Sequence, residues 1–347
     1  MRTRSIPLLL TLALVAAACG GGSADAPGVP EAGKLSYTLE PGAGFEYEAT
    51  LDQHIELTAT GDPSVMGGEA FPVDMSADIS GVTTLTHTVA EGTEPGTFEV
   101  TISGEFSDLT VEGTMDGEPI DPDELPDLGV TKPINVTVVV DEQGNVVEPG
   151  SDSFGDLFMG GLSELDALAG AVVDPAQLVG PPLPDHEVAV GDTWSKTINV
   201  PIPMNDQEIT TEVVSEVTGT DAVDGADVLV IETESTTSKI EVDLSDFLIG
   251  MFKSMAETGA EEADAADLEA IEEGLRFAFT VDESTTDMTT WFDPAAGRAR
   301  KAVRSGDAHV SMDVAFPDEP AGGMIELGME MDIDQLMEFR LLGDVEG

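Results

Sequence analysis

Polar and apolar residues alternate one for one along most of this chain. In GFEYEATLDQHIELTATG (44–61), one side carries Phe45, Tyr47, Ala49, Leu51, Gln53, Ile55, Leu57 and Ala59, and the other carries Glu46, Glu48, Thr50, Asp52, His54, Glu56, Thr58 and Thr60. A period of two over so many residues predicts a β-strand with one buried and one solvated face, the habit of antiparallel sheets. The pattern returns in Val73, Met75, Ala77 and Ile79, in Phe98, Val100 and Ile102, and in Ile134, Val136, Val138 and Val140. Later it runs through 228–234, 275–281, 308–316 and 325–333, with turn-forming clusters such as EGTEPG (91–96) between earlier runs. At about 3.3 Å per residue the 45–59 run extends close to 50 Å, well beyond an ordinary strand. Strands that long must bend or coil in a twisted sheet.

Three segments follow a helical period instead. Phe154, Leu157, Phe158, Gly161, Leu162, Leu165, Leu168, Ala169 and Val172 fall on one side of a predicted helix over 152–172. Phe247, Leu248, Met251, Phe252 and Met255 form a second stripe, and the Ala- and Glu-rich run 261–275 a third. Two hairpins also resemble each other. VVVDEQGNVVE (138–148) and TWFDPAAGRARK (290–301) each pass from an apolar strand end through Asp and a Gly-containing turn. The expected fold class is α+β and mostly antiparallel β: a large curved sheet or half-barrel, built from two β pseudo-repeats and covered by a few amphipathic helices. Its expected organisation is a signal segment (1–18), a tether (19–34), a first β half (35–150), a helical segment and linker (151–187), and a second β half (188–347) with a helical insertion near 245–275.

The N-terminal stretch changes the picture. Arg2 and Arg4 precede an apolar segment, 6–17, that is too short to span a bilayer comfortably, since that takes about 20 apolar residues. It ends in Ala16, Ala17, Ala18 and Cys19, then Gly20. This resembles the lipobox of bacterial lipoproteins, and the resemblance implies that Cys19 becomes the mature N-terminus and carries a diacylglyceryl group. An ordinary secretory signal cut after an Ala-x-Ala site is the competing reading. Cys19 is the only cysteine, so it serves no internal disulfide, which favours lipid attachment.

Without Arg2 and Arg4, 11 Lys and Arg face 69 Asp and Glu, a formal charge of 11 − 69 = −58. Such a body is repelled by nucleic acid and by anionic headgroups. The small, polar, Pro-interrupted segment 20–34 reads as a flexible tether of roughly 20 Å root-mean-square span, longer than the Debye length of about 8 Å at physiological salt. Regular patterning and 41% hydrophobic residues argue for a folded rather than a disordered acidic chain.

Together with the lipobox and the long alternating strands, Trp291-Phe292-Asp293-Pro294-Ala295-Ala296-Gly297-Arg298 resembles a hairpin of LolA-type and mycobacterial lipid-carrier lipoproteins. Val190-Gly191-Asp192-Thr193-Trp194 is similar to a phrase in other bacterial lipoproteins. The first resemblance implies an unclosed β-barrel with an apolar cavity and a helical lid.

Catalytic chemistry is not indicated. His54, His87, His186 and His309 are far apart in sequence, and nucleophile-elbow, phosphate-loop and zinc motifs are missing. The acidic clusters at 121–127 and 141–145 lack calcium-loop spacing. No catalytic residue, metal ligand or cofactor is therefore assigned, and the chain is read as a non-enzyme. Candidate lining residues for a lipid or apolar ligand are Phe45, Tyr47, Leu51, Phe158, Phe247 and Phe252, against the plainer reading that they fill a core. Arg298, Arg300 and Arg304, with Lys301 on the other face, form a candidate basic rim for an anionic headgroup or an envelope protein partner, against simple pairing with acidic neighbours. The functional expectation is a lipoprotein anchored at the extracytoplasmic face of the cell membrane that binds an apolar ligand; the alternative is a structural or interaction lipoprotein with a solid core.

Overall fold

The computed structural model describes residues 33–61, 73–120, 134–149, 180–201, 208–243, 245, 249, 274–318 and 323–346. These residues form strands and the turns between them. In the first half they are β1 (Gly33–Lys34), β2 (Ala43–Gly61), β3 (Val73–Glu91), β4 (Thr97–Phe106), β5 (Thr110–Met115), β6 (Glu118–Pro119), β7 (Ile134–Asp141) and β8 (Val146–Pro149). In the second half they are β9 (Glu187–Val188), β10 (Thr193–Pro201), β11 (Glu208–Val223), β12 (Ala226–Thr237), β13 (Ile240–Asp243), β14 (Arg276–Val281), β15 (Ser284–Asp293), β16 (Arg298–Asp318) and β17 (Gly323–Glu346).

Eleven strands form one antiparallel path, β10-β11-β12-β15-β16-β17-β2-β3-β4-β7-β8. The first and last long strands lie side by side in its middle, paired from Ala43↔Glu346 to Gly61↔Leu327. Alternation carries through as expected. Along β2, Phe45, Tyr47, Ala49, Leu51 and Ile55 are buried, and along β3 Met75, Ala77, Ile79, Leu85 and Val89 are buried. Residues opposite one another in the ladder share a face, so these side chains form one inner wall. β5 follows β4 along the edge of β3, and β14 follows β15 along the edge of β16, so four long strands run past the rest as an extended second storey.

The sheet curls until its two ends meet in one core. Val138 and Val140 of β7 belong to the same apolar cluster as Trp194 of β10 and Val217 of β11, at opposite ends of the strand order. The gap between β8 and β10 is spanned at this end by the segment 35–39 and by 180–184. The Tyr37 N–H donates to the Glu142 carbonyl at 2.8 Å, the Thr38 N–H to the Gly297 carbonyl at 2.9 Å, and the Leu183 N–H to the Gln143 carbonyl at 2.7 Å. Tyr37 places its ring edge-on to Phe292, 5.5 Å between centroids, and its hydroxyl donates to the Pro181 carbonyl at 2.8 Å. The Trp194 indole N–H likewise donates to the Pro182 carbonyl at 2.8 Å. Leu35, Tyr37, Leu39 and Leu183 thus plug one end, and β1 and β9 pair with each other just outside.

The two hairpins that look alike in sequence are built alike and are held by the same segment. Asp141 Oδ1 accepts the N–H groups of Gln143 and Asn145, and Asp293 Oδ1 those of Ala295 and Ala296. Each turn ends on a positive-φ glycine, Gly144 (φ 75) and Gly297 (φ 61), against which Tyr37 and Thr38 pack.

The expected α+β class is overturned. The described residues are almost wholly antiparallel β in a nearly closed 11-strand barrel, and no helix lies among them. Nor is the sheet a half-barrel, because it curls into a nearly closed barrel in which β17 and β2 join the first and second halves into one wall. The physical reason is curvature: a sheet this wide covers its own apolar face with its opposite wall and the plug. The predicted helix 152–172 and nearly all of the segments 247–255 and 261–275 lie outside the described residues; Ile249, Gly274 and Leu275 are the exceptions.

A Cβ at Gly297 would fall 2.7 Å from the Thr38 nitrogen, in a backbone region unfavourable to L-residues. Gly297→Ala is expected to destabilise the protein by on the order of 2–4 kcal/mol, strain and overpacking together. Denaturant unfolding monitored by the fluorescence of plug-bound Trp194 measures this; an unshifted midpoint would show that the clamp on this hairpin is not needed.

Candidate functional site

The ladder registers stack the inner face into layers. Nearest the plug, Phe45 faces His87, and Tyr47 faces Leu85. Tyr47 donates to the Ala299 carbonyl at 3.2 Å, and burial pushes its hydroxyl pKa up to about 12 despite the nearby Arg298 and Arg300 guanidinium groups. The Tyr37 pKa is raised too, by burial first and by Tyr47 second. Further along comes a layer of Leu51, Met337, Arg304 and Met288, continued across β12 and β11 by Thr233 and Ser215. Gln53, Gln335, Gly306, Thr286 and Ser235 make the next layer. Beyond it the wall is apolar again, with Leu57, Met331, Val310 and Val281.

Exposure changes along this axis. At the plug, Ile102, Val140, Val217, Ile231 and Phe292 are fully buried. Toward the other end, Leu57, Met312, Leu327, Met329 and Met331 are only half-buried, and no plug lies there among the described residues. The inner wall therefore closes on itself at one end and leaves apolar side chains partly uncovered at the other.

The sequence-derived candidates distribute unevenly over this frame. Phe45, Tyr47 and Leu51 all face inward and are buried, but the first two belong to the plug core and Leu51 to a smaller cluster with Ile55 and Ile79. Phe158, Phe247, Phe252 and Cys19 lie outside the described residues. The basic cluster does not gather on one face. A bulge between Trp291 and Phe292 leaves Arg298 and Arg300 at the hairpin base. There Arg298 pairs with Asp344 and lies 4.6 Å over the Phe45 ring, while Arg300 donates to Asp293 Oδ2 at 2.7 and 3.0 Å. Burial alone would raise the Asp293 pKa; the N–H groups of Ala296 and Ala295 and the Arg300 guanidinium outweigh it and hold the carboxyl below its ordinary range. Lys301 points outward to Glu338 at 2.7 Å. Arg304 faces inward and is only 6% exposed. The sequence carried that signal: Ala302, Arg304, Gly306, Ala308 and Val310 keep step on the inner side.

His87 was also legible as an inner residue, in phase with Leu85 and Val89. It packs 4.8 Å from the Tyr47 ring, its Nε2 has no hydrogen-bond partner among the described residues, and burial lowers its pKa to about 4. His54 and His309 sit on the outer face, each 2.7 Å from a carboxylate (Asp78 and Asp332), and these hydrogen bonds raise both pKa values against a smaller effect of burial.

An open cleft of about 690 Å³ borders the outer side of the long strands, with Asp52, His54, Asp78, Asp287, Asp307 and Asp334 among its lining residues. Among the described residues no group of three or more His, Cys, Asp and Glu is arranged to hold a metal ion. The outward rows are thus acidic where a barrel crossing a bilayer needs an apolar band.

No family model matches the chain, and no curated protein matches it. Among solved structures it is similar to the COG4313 outer membrane channel from Pseudomonas putida F1, at 9% identity and TM-score 0.20, covering 88% of this chain and 97% of that one. It is also similar to Pseudomonas aeruginosa OccK7 (OpdD), at 7% identity and TM-score 0.16, covering 86% and 99%. Superpositions this poor bear on neither fold nor function.

The histidines set opposite pH trends. His87, depressed from 6.5 to about 4, contributes stability that is complete above about pH 6.5 and is lost as pH falls toward 4, by up to about 1.4 kcal/mol per pH unit. His54 and His309, with raised pKa values, contribute stability that is complete below about pH 6.5 and is lost as pH rises through the folded value; their side chains are 39% and 35% exposed, so solvent keeps this small. His87→Leu is expected to flatten the decline in unfolding free energy between pH 6.5 and 4. An unchanged slope would remove His87 as its source.

Proposed function

We propose that this chain is an extracytoplasmic lipoprotein, held at the cell membrane through a diacylglyceryl group on Cys19, and that its barrel takes up a lipid or other apolar ligand through the end opposite the plug. The observation that carries this reading is the gradient along the inner wall, from fully buried at Ile102 and Phe292 to half-buried at Leu57, Met329 and Met331. Half-covered methionines suit an adaptable apolar surface, because their unbranched side chains repack around different shapes. The lipobox-like Ala16-Ala17-Ala18-Cys19 and the resemblance to lipid-carrier lipoproteins support the anchor and the class of ligand. The acidic outer rows favour a lipid anchor over a spanning barrel, since carboxylates facing hydrocarbon are costly.

A second reading, a scaffold lipoprotein that meets an envelope partner, draws on the packing of Phe45 and Tyr47 into the plug core. In-cell crosslinking that captures one dominant protein would favour it.

The Cys19→Ser form, purified from a bacterial host and measured by native mass spectrometry, is expected to carry a co-purifying amphiphile. Met331→Glu is expected to reduce that occupancy several-fold without lowering the unfolding midpoint comparably. Ligand-free protein in both cases would overturn the carrier reading. In the unaltered chain, an N-terminal peptide beginning at Cys19 with the mass of an added diacylglyceryl group is expected; an unmodified cysteine would overturn the anchor.

A further inference from the structure

The plug decides which end of the barrel can approach the anchoring membrane. Gly33 and Lys34 pair with Val188 and Glu187 beside the segment that closes the barrel, so the chain leaves the folded body at its plugged end. Fourteen residue steps separate Gly33 from Cys19, which limits the reach to about 50 Å in any conformation. The body is longer than this. β17 alone has 24 residues, about 80 Å along the strand and about 60 Å along the axis at a typical barrel tilt. The half-covered apolar end carries the Asp116–Gly117 turn, level with Leu57 and Met331 and short of the Asp318↔Gly323 end of the β16–β17 pair. An inverted posture, open end down and Gly33 uppermost, would need a longer connection than the chain contains.

A posture lying flat is within reach, and charge opposes it. Asp52, Asp78, Asp287, Asp307 and Asp334 point outward along the flank, where His54 sits beside Asp78. Laying that flank on an anionic surface brings these carboxylates within a Debye length of about 8 Å of the headgroups, whereas standing upright exposes only the plugged end to the same repulsion.

We infer that the anchored protein stands on its plugged end and presents the half-covered apolar end away from its own membrane. This rests on the anchor proposed above. A ligand would then be exchanged with a separate partner or an apposed surface, and not drawn directly from the bilayer that holds Cys19.

The inference is tested with lipidated protein reconstituted on vesicles of phosphatidylglycerol and phosphatidylcholine that contain an acceptor-labelled lipid. Donor dyes are placed on single cysteines, Glu94→Cys in the exposed turn before β4 at the plugged end, or Glu118→Cys beside the far turn. Both side chains are exposed, so labelling leaves the core intact. At low salt, energy transfer from position 94 is expected to exceed that from position 118 several-fold. The difference is expected to narrow at high salt or on pure phosphatidylcholine, where the flank is no longer repelled. Equal transfer at low salt, or stronger transfer from position 118, would overturn the inference. Protein that does not float with the vesicles at all would instead overturn the anchor reading.

Discussion

A sheet with two free edges leaves a row of unsatisfied backbone groups along each, and something must cover or pair them. In this protein β8 and β10 end the main strand path, and the barrel end beside them is closed by segments tied to the β7–β8 and β15–β16 turns. Tyr37, Thr38 and Leu183 give their N–H groups to Glu142, Gly297 and Gln143, while the Tyr37 and Trp194 side chains bond the Pro181 and Pro182 carbonyls. The two side-chain bonds are buried and satisfied inside an apolar cluster, the condition under which such bonds fix a unique arrangement. Glycine at 144 and 297 is what lets the clamp approach both hairpins closely.

The clamp also creates the asymmetry between the ends. Where Leu35, Tyr37, Leu39 and Leu183 enter, the inner wall is dense; beyond Arg304 and the polar layer of Gln53, Gln335 and Thr286, the apolar wall resumes with only partial cover. The outside of the barrel is rich in carboxylates and the inside in Val, Leu and Met. Both follow from one alternation of side chains across a long sheet.

Much of this was legible in the sequence. The strands, their buried sides, and the kinship of the 141–145 and 293–297 turns could be read from period two and from Asp-to-Gly spacing. Other features resisted. Arg298, Arg300 and Arg304 looked coplanar because strict alternation puts even positions together, and a single bulged residue breaks that phase. Leu35, Tyr37 and Leu39 alternate like any strand start, and nothing local says that they cross between two hairpins over a hundred residues apart. Expecting helices to cover the sheet came from assuming that a curved wall needs a separate roof, where a wide enough one closes over itself.

The sequence by itself determined the facing of residues within each unbroken run, because successive side chains on an extended backbone must point to opposite sides. It also determined the strongly acidic net charge. Only the tertiary structure decided neighbours: Ala43 beside Glu346, Val140 in one core with Trp194, Tyr37 between Glu142 and Pro181. A pattern of period two names the inner face of every strand, but it carries no address for its partner. That address is set by which long-range pairings together bury the wall.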